Sequence, residues 1–149
     1  MDPQADLTTA FDQYDPEGKL YQALKQGSEL PVVELSENLT LTPSSVDLAR
    51  GETNFLAEHG REFLLQTSLE KTPLSEEALV LIDCPPSLGV LSVNALAAAR
   101  QLLVTVHPGG FELRALNDLQ TTVTGLKQRI NPHLDILGVV LTKCDMREK

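Results

Sequence analysis

The sequence has few positive charges, only two cysteines and no long apolar run, and each shortage argues against a class of protein. Among its 149 residues, 12 are Lys or Arg and 21 are Asp or Glu, which gives a net charge of −9. This balance opposes binding to nucleic-acid phosphates, which relies on Lys and Arg. No apolar run reaches the roughly 18 residues of a transmembrane helix. The first residues are acidic and polar, so we predict a cytoplasmic protein that has no signal peptide and does not enter a membrane.

The sequence also lacks the usual signatures of cysteine, histidine and serine sites. Cys84 and Cys144 lie far apart and form no CxxC pair, so we expect reduced thiols. His107 has no Cys or acidic partner at the spacing of metal ligands. Ser87 does not lie in a GxSxG motif, which argues against a hydrolase nucleophile. A phosphate-binding GxxxxGK[ST] loop is likewise not found in the sequence.

The second half of the chain alternates apolar strands with helices. Continuous apolar runs at residues 79–82, 102–106 and 136–141 are typical of strands buried on both faces of a sheet. Between them, residues 88–99 form an Ala-rich apolar segment, and residues 113–130 carry apolar side chains at steps of three and four. This order predicts an α/β fold, a doubly wound parallel sheet with helices on both faces.

The first half has a less regular pattern. We predict a short helix at residues 19–26 and a short strand at residues 38–42. Residues 47–69 have a helix-like pattern that two glycines interrupt. The sequence has no internal repeat or low-complexity tract, and its 149 residues suffice for one domain, so we treat residues 1–149 as a single, partial domain.

The candidate site follows from the predicted sheet, because ligands of such sheets bind beyond the carboxyl ends of the strands. This rule selects residues 83–87, 107–110 and 142–147. At the first position, the carboxylate of Asp83 can hold Mg²⁺ through a water molecule or can simply cap the next helix. Residues 142–145 are similar to the base-recognition motif of guanine-nucleotide proteins, or they form a solvated loop after a strand.

Longer ordered motifs resemble the ParA family of the ParA/MinD ATPases, a group of P-loop ATPases with a deviant Walker motif. That family shows an apolar strand, then Asp, one residue, Pro-Pro and a later Asn-Ala-Leu. Here these are Asp83, residues 85–86 and residues 94–96. Residues 131–147 are similar to the family's Asn-Pro, Leu-Gly and final Thr-x-x-Asp-x-Arg pattern, and residues 2–4 resemble the end of its second acidic motif.

The resemblance implies an ATPase that sandwiches ATP between the subunits of a homodimer and serves chromosome or plasmid partition. In that family the dimer binds DNA non-specifically, which the net charge of −9 opposes here, and a ParB-like partner protein triggers hydrolysis. The implied cofactors are ATP and Mg²⁺. By matching positions, Asp83 assists Mg²⁺ and Asp2 is a second candidate near the metal. Pro108 begins a loop that packs beside the base, and the loop from Thr142 to Asp145 lies near the adenine.

The departures from the family pattern lie at the start of the chain. The family has Asp-x-Asp-Pro-Gln here, and Met1 occupies the x position, so the first, water-orienting Asp is not found in the sequence. The lysine-bearing phosphate loop is not found either. We therefore expect an incomplete sheet with an unpaired strand edge and no ATP hydrolysis by this chain alone. The leading hypothesis is a fragment or truncated form of a ParA-type ATPase. The alternatives are a non-catalytic remnant that acts as an interaction or dimerisation module, and a GTP-binding protein.

Overall fold

The computed structural model of the chain describes residues 1–107 and 112–143, with side chains outside residues 112–116. The chain divides into two compact units, Met1–Ala98 and Ala99–Lys149. Short 3₁₀ turns at Val46–Arg50 and Phe55–Ala57 flank the third helix. The helices and strands, in chain order, are α1 (Asp6–Ala10), α2 (Lys19–Gln26), β1 (Val33–Ser36), β2 (Leu39–Leu41), α3 (Gly51–Asn54), α4 (Leu64–Lys71), α5 (Val90–Ala98), β3 (Gln101–Val106), α6 (Glu112–Arg129) and β4 (Asp135–Leu141). None of the helices within the described residues is long and apolar enough to cross a membrane.

The second unit contains the parallel sheet that the sequence predicts. Strands β3 and β4 pair in parallel, and Val106 at the end of β3 lies opposite Leu141 at the end of β4. Asn131 donates a side-chain hydrogen bond of 2.6 Å to the carbonyl of Ala99, which holds the turn after α6 beside the start of β3. The predicted α/β class with a parallel sheet and helices is confirmed.

The prediction that these strands are buried on both faces is wrong. Residues of β3 alternate between exposed and half-buried, and β4 is exposed over most of its length. Leu137 is 60% exposed and Leu141 is 62% exposed. Parallel sheets are normally covered on both faces by several crossover helices. A pair of strands with one connecting helix offers too little surface for that.

The first unit has its own hydrophobic core, built mainly from helices. A fully buried Leu or Phe side chain contributes about 1.5–3 kcal/mol relative to an exposed one. Tyr21 stacks on Phe55 with ring centroids 5.4 Å apart, at the edge of this core. The buried apolar residues of the cluster are Leu20, Leu24, Leu48, Phe55, Leu65, Val90 and Leu91.

The predictions for the first half are confirmed for α2 and for the strand that becomes β2. They miss β1, which pairs with β2 in an antiparallel hairpin. A signal for it exists, because apolar Val33 and Leu35 alternate with polar residues just as Leu39 and Leu41 do beyond the turn.

The helix-like pattern of residues 47–69 does not form one helix. The chain forms a 3₁₀ turn, α3, a second 3₁₀ turn and then α4. The first helical stretch ends after Ala57, where Glu58 is extended with ψ of 141°, and Gly60 then adopts the left-handed conformation with φ of 66°. Gly51 lies inside the stretch because the ring of Phe55 comes within 2.6 Å of where a Cβ atom would stand.

The strand predicted at residues 79–82 does not form. Leu79 and Leu81 are 84% and 83% exposed, whereas Ile82 is half-buried and packs against the core of the first unit. A strand requires a neighbour that takes its N–H and C=O groups. Within the described part of the chain, no other strand pairs with these residues. The apolar run is therefore an extended connection that leads to Asp83.

Candidate functional site

The first part of the site is the loop between Asp83 and α5. Asp83 is exposed, and among the described residues it has no ion-pair partner. Pro85 and Pro86 follow it, and their rings fix φ and remove two backbone donors, so this segment cannot continue as helix. The loop ends where Val90 begins α5. The carboxylate of Asp83 is thus presented to solvent by a short, stiff segment.

A network of hydrogen bonds holds Asp2, the second acidic residue predicted for the site. The hydroxyl of Ser44 donates to the carbonyl of Asp2 over 2.8 Å. The backbone N–H of Ser44 donates in turn to Oγ1 of Thr8, also over 2.8 Å, and Thr8 is only 3% exposed. The side chain of Asp2 accepts a 2.9 Å hydrogen bond from the N–H of Gln4. These bonds tie the start of the chain to the segment after β2.

Asp2 and Asp83 act on the same neighbouring groups. Partial removal from water raises the pKa of the Cys84 thiol, and the charges of Asp83 and Asp2 raise it further, against the opposing effect of the Met1 amino group. Burial lowers the pKa of that amino group, while Cys84, Asp83 and Asp2 act in the opposite direction. The two predicted acidic residues therefore share one electrostatic environment, although they are far apart in sequence. A raised pKa lowers the fraction of reactive thiolate at Cys84.

The donor set of this environment suits a hard cation. Carboxylate oxygens are the ligands that Mg²⁺ prefers, and Mg²⁺ usually keeps several water molecules. Within the described residues, no group of three or more His, Cys, Asp or Glu side chains is placed to enclose a metal ion. An exposed carboxylate such as that of Asp83 is accordingly suited to bind a water molecule on the metal ion, rather than to form part of a closed set of protein ligands. Lysines that would hold a triphosphate in a glycine-rich loop are not found in the sequence.

The second part of the predicted site lies at the carboxyl ends of the parallel strands. Thr142 follows β4, and both its N–H and its hydroxyl donate to the carbonyl of Val106, over 2.8 and 3.2 Å. His107 and Thr142 therefore follow paired strand ends at one edge of the sheet, as predicted. Pro108 and Asp145, the other two residues predicted here, lie outside the described residues.

Sequence reasoning missed two residues that shape the first part of the site. Ser44 carries no local motif, and its partners Asp2 and Thr8 lie far away in sequence. Glu52 accepts a 3.0 Å hydrogen bond from the N–H of Val90, at the end of the loop that begins with Asp83. Only a long-range contact defines either role, so no pattern of adjacent residues marks them.

Comparison with known sequences gives matches over nearly the whole chain. The family profile described as AAA domain matches residues 1–136. The chromosome partitioning protein ParA of Myxococcus xanthus is 36% identical over 155 residues, which cover 99% of this chain and 53% of that protein. The sporulation initiation inhibitor protein Soj of Bacillus subtilis is 32% identical over 152 residues, covering 99% of this chain and 60% of that protein. The chain spans about half the length of the curated relatives it matches.

Solved structures give the same picture. The cobyrinic acid a,c-diamide synthase of Mycobacterium smegmatis with bound ADP and magnesium superposes with a TM-score of 0.84 at 31% identity. That alignment covers 98% of this chain and 61% of the synthase. A plasmid partition protein from Borrelia burgdorferi, with a TM-score of 0.81 and 23% identity, shares the fold. These matches confirm the resemblance that the motifs indicated.

Proposed function

Because this chain belongs to the AAA domain family, we propose that it forms the magnesium-facing part of an ATP-binding partition domain. In this proposal Asp83 orients a water molecule on Mg²⁺, Asp2 adds negative charge beside it, and the segment from Thr142 to Asp145 lies near the adenine. Pro108 begins a loop that packs beside the base. The residues 1–149 act together as one partial nucleotide-binding domain.

The observation that carries the proposal is the exposed carboxylate of Asp83 on its Pro-Pro loop, in an environment shared with Asp2. A relative of 31% identity and the same fold is described with bound ADP and magnesium, and partition proteins match almost the entire chain. Hydrolysis is not part of the proposal, because no residue of the sequence matches the lysine-bearing phosphate loop. ATP-dependent dimerisation, a response to a ParB-like protein and DNA association are proposed only for the longer relatives, and not for this chain.

The first test is a titration of the chain with a fluorescent ATP analogue, in Mg²⁺ and in EDTA. We expect a dissociation constant on the order of micromolar with Mg²⁺, which corresponds to about −8 kcal/mol. Asp83→Asn should weaken binding in Mg²⁺ by about 10- to 100-fold, because residues that orient metal ligands usually have effects of this size. Binding in EDTA should not change.

Asp118→Asn is the matched control, since Asp118 is an exposed carboxylate on α6. This variant should bind the nucleotide like the wild type in both buffers. Equal affinities of Asp83→Asn and wild type in Mg²⁺ would contradict the proposed role of Asp83. Displacement of the analogue by GTP as readily as by ATP would favour the GTP-binding hypothesis instead.

A second candidate function is a non-catalytic interaction module, and one observation favours it. Apolar side chains of residues 79–81 and of β4 are exposed to an extent that is unusual for strand sequences. If the chain shows no nucleotide affinity in the titration but forms dimers in light scattering, this second function becomes the better account.

A further inference from the structure

The hydrogen bonds that hold the loop from Asp83 to α5 lie mainly at its far end, while Ile82 packs against the core just before Asp83. In the described part of the chain, the hydroxyl of Ser92 donates to the carbonyl of Ser87 over 2.5 Å, and Val90 donates to Glu52 over 3.0 Å. Nearer to Asp83, the described residues form one long contact of 3.5 Å, from the Cys84 thiol to the Ile82 carbonyl. The direction in which Asp83 is presented therefore depends on how firmly the far end is fixed.

Glu52 fixes that end from a different element. It lies on α3, and its Oε2 atom accepts the N–H of Val90, the first residue of α5. The first N–H groups of a helix have no partner within the helix, and a carboxylate is a favourable acceptor for them. Helix α5 has no acidic residue of its own in the first turn. The carboxylate of Glu52 supplies that charge from 38 positions away.

Gly89 makes this contact possible. A Cβ atom added at Gly89 would lie 2.2 Å from Oε2 and 2.6 Å from both Cδ and Oε1 of Glu52. Any other residue at this position would push the carboxylate away from Val90. Oε1 of Glu52 is buried, and none of the described residues donates a hydrogen bond to it. A buried acceptor without a partner is uncommon in proteins and calls for an explanation.

We propose that Glu52 is a positioning residue for Asp83, and that its carboxylate, packed on Gly89 and bonded to Val90, fixes the loop through which Asp83 meets Mg²⁺. The inference rests on the proposed function only for the role of Asp83. The contact between Glu52 and the loop is a property of the chain itself. Glu52 does not touch the nucleotide or the metal in this proposal.

Cys84 is the reporter for the test, because it lies next to Asp83 and its side chain is exposed. The rate of alkylation of Cys84 by iodoacetamide is measured on the full chain, in a Cys144→Ala background that leaves one thiol. Glu52→Ala should raise this rate about tenfold, as expected when a loop loses one hydrogen bond to a charged acceptor. Glu52→Gln keeps an oxygen acceptor and should stay within about twofold of the wild type.

Two further variants separate positioning from general loss of structure. Glu58→Ala removes an exposed carboxylate of the same unit and should leave the Cys84 rate unchanged. Gly89→Ala should raise the rate in the wild type but add nothing in the Glu52→Ala background, because both changes break one contact. Additive effects of Gly89→Ala and Glu52→Ala would overturn the proposal. An unchanged Cys84 rate in Glu52→Ala, or equal rates in Glu52→Ala and Glu52→Gln, would overturn it as well.

A separate arm tests the proposed function. In the wild type, Mg²⁺ with ATP should slow the alkylation of Cys84, because the bound nucleotide covers the loop. If Mg²⁺ with ATP has no effect while the difference between Glu52→Ala and Glu52→Gln remains, the nucleotide proposal fails and the positioning of the loop by Glu52 stands. The two failures are therefore distinguishable in one set of measurements.

Discussion

Asn94 connects three parts of the first unit through one buried amide. It is 1% exposed, and its Nδ2 atom donates to the carbonyls of Arg61 and Val90 over 2.6 and 2.9 Å. Its Oδ1 atom accepts the N–H of Leu65 over 3.1 Å. Leu65 lies in the first turn of α4, where N–H groups have no partner within the helix. The side chain therefore closes the turn around Arg61 onto α5 and caps α4 at the same time.

Loss of this amide should be strongly destabilising. We expect Asn94→Ala to lower the free energy of unfolding by about 3 kcal/mol, because it leaves the buried N–H of Leu65 and the part-buried carbonyl of Arg61 without this partner. Asn94→Asp should be comparably harmful, since it turns a carboxylate oxygen toward two carbonyl oxygens. Urea unfolding followed by circular dichroism measures both effects.

Asn54→Ala is the control for this prediction. Asn54 also donates a side-chain hydrogen bond, of 2.8 Å to the hydroxyl of Tyr21, but in an exposed position. Its loss should change the free energy of unfolding by no more than about 0.5 kcal/mol. Similar losses of unfolding free energy in Asn94→Ala and Asn54→Ala would show that burial of the amide is not the reason why Asn94 stabilises the fold.

Individual residues of the site were predictable only where a motif or a strand end marks them. Asp83 and Thr142 follow apolar runs, which marks them as candidates for the site, and Asn94, outside the site, belongs to the family pattern. The sequence does not reveal that Asn94 is a structural amide. Glu52 is not marked at all, because its role depends on Gly89 and Val90, which reach it only through the packing of α3 against α5.

At the scale of the element, α2 shows how a helix begins without a capping side chain directly before it. Gly18 precedes the helix in a left-handed conformation with φ of 61°. Asp15 performs the capping from three positions earlier, and its carboxylate accepts the N–H groups of Lys19 and Leu20 over 2.9 and 3.3 Å. Asp15 is only 7% exposed. The cap fixes the start of the helix that brings Leu20 and its neighbours into the core.

Removal of this cap should destabilise the first unit. We expect Asp15→Ala to lower the free energy of unfolding by about 1–2 kcal/mol, which is the usual range for a helix cap. Asp15→Asn keeps an acceptor and should lose less, roughly the 0.3–1 kcal/mol of the interaction between the charge and the helix dipole. Thermal and urea unfolding of the full chain measure both.

Glu17→Ala is the comparison for Asp15→Ala. Glu17 forms an ion pair of 3.2 Å with Lys19, and both side chains are mostly exposed. Exposed pairs contribute little, so the variant should lose at most about 0.5 kcal/mol. If Glu17→Ala is as harmful as Asp15→Ala, the general loss of negative charge near α2 matters more than the cap.

Elements with local signals were predictable, and elements that depend on partners were not. Helix α2 has a clear start and stops at Gly27, which adopts the left-handed conformation. Strands β3 and β4 carry apolar runs and pair with each other in parallel. Residues 79–82 have an equally apolar sequence, yet no strand pairs with them in the described chain. The run reveals a preference for strand, but only a neighbour decides whether a strand forms.

The whole molecule distributes its apolar surface unevenly. The first unit buries Leu20, Leu48, Phe55 and others in one core, while its residues 79–81 stay exposed. In the second unit, Leu134 and Val123 are buried, and much of β4 is exposed. Isolated exposed apolar residues are common on proteins, whereas consecutive ones favour association. The exposed apolar run should therefore control how the chain behaves at high concentration.

We expect the chain to associate in a concentration-dependent way, and the double variant Leu79→Lys with Leu81→Lys to associate less. Both side chains are more than four-fifths exposed, at 84% and 83%, so the substitutions should change the free energy of unfolding by no more than about 0.5 kcal/mol. Lysine on an extended apolar segment opposes pairing with another chain. Size-exclusion chromatography with light scattering at several concentrations measures the effect.

The change in net charge by itself should increase association, so a decrease in the variant would have to come from the loss of the apolar side chains. Two added lysines bring the net charge of −9 closer to zero, and proteins near zero net charge associate more readily. The double variant Val46→Lys with Leu56→Lys carries the same charge change at two exposed apolar residues, 75% and 53% exposed, that are not consecutive with the run. It should associate as much as the wild type or more. Equal association of the two double variants would show that the extended apolar run at residues 79–81 has no special role.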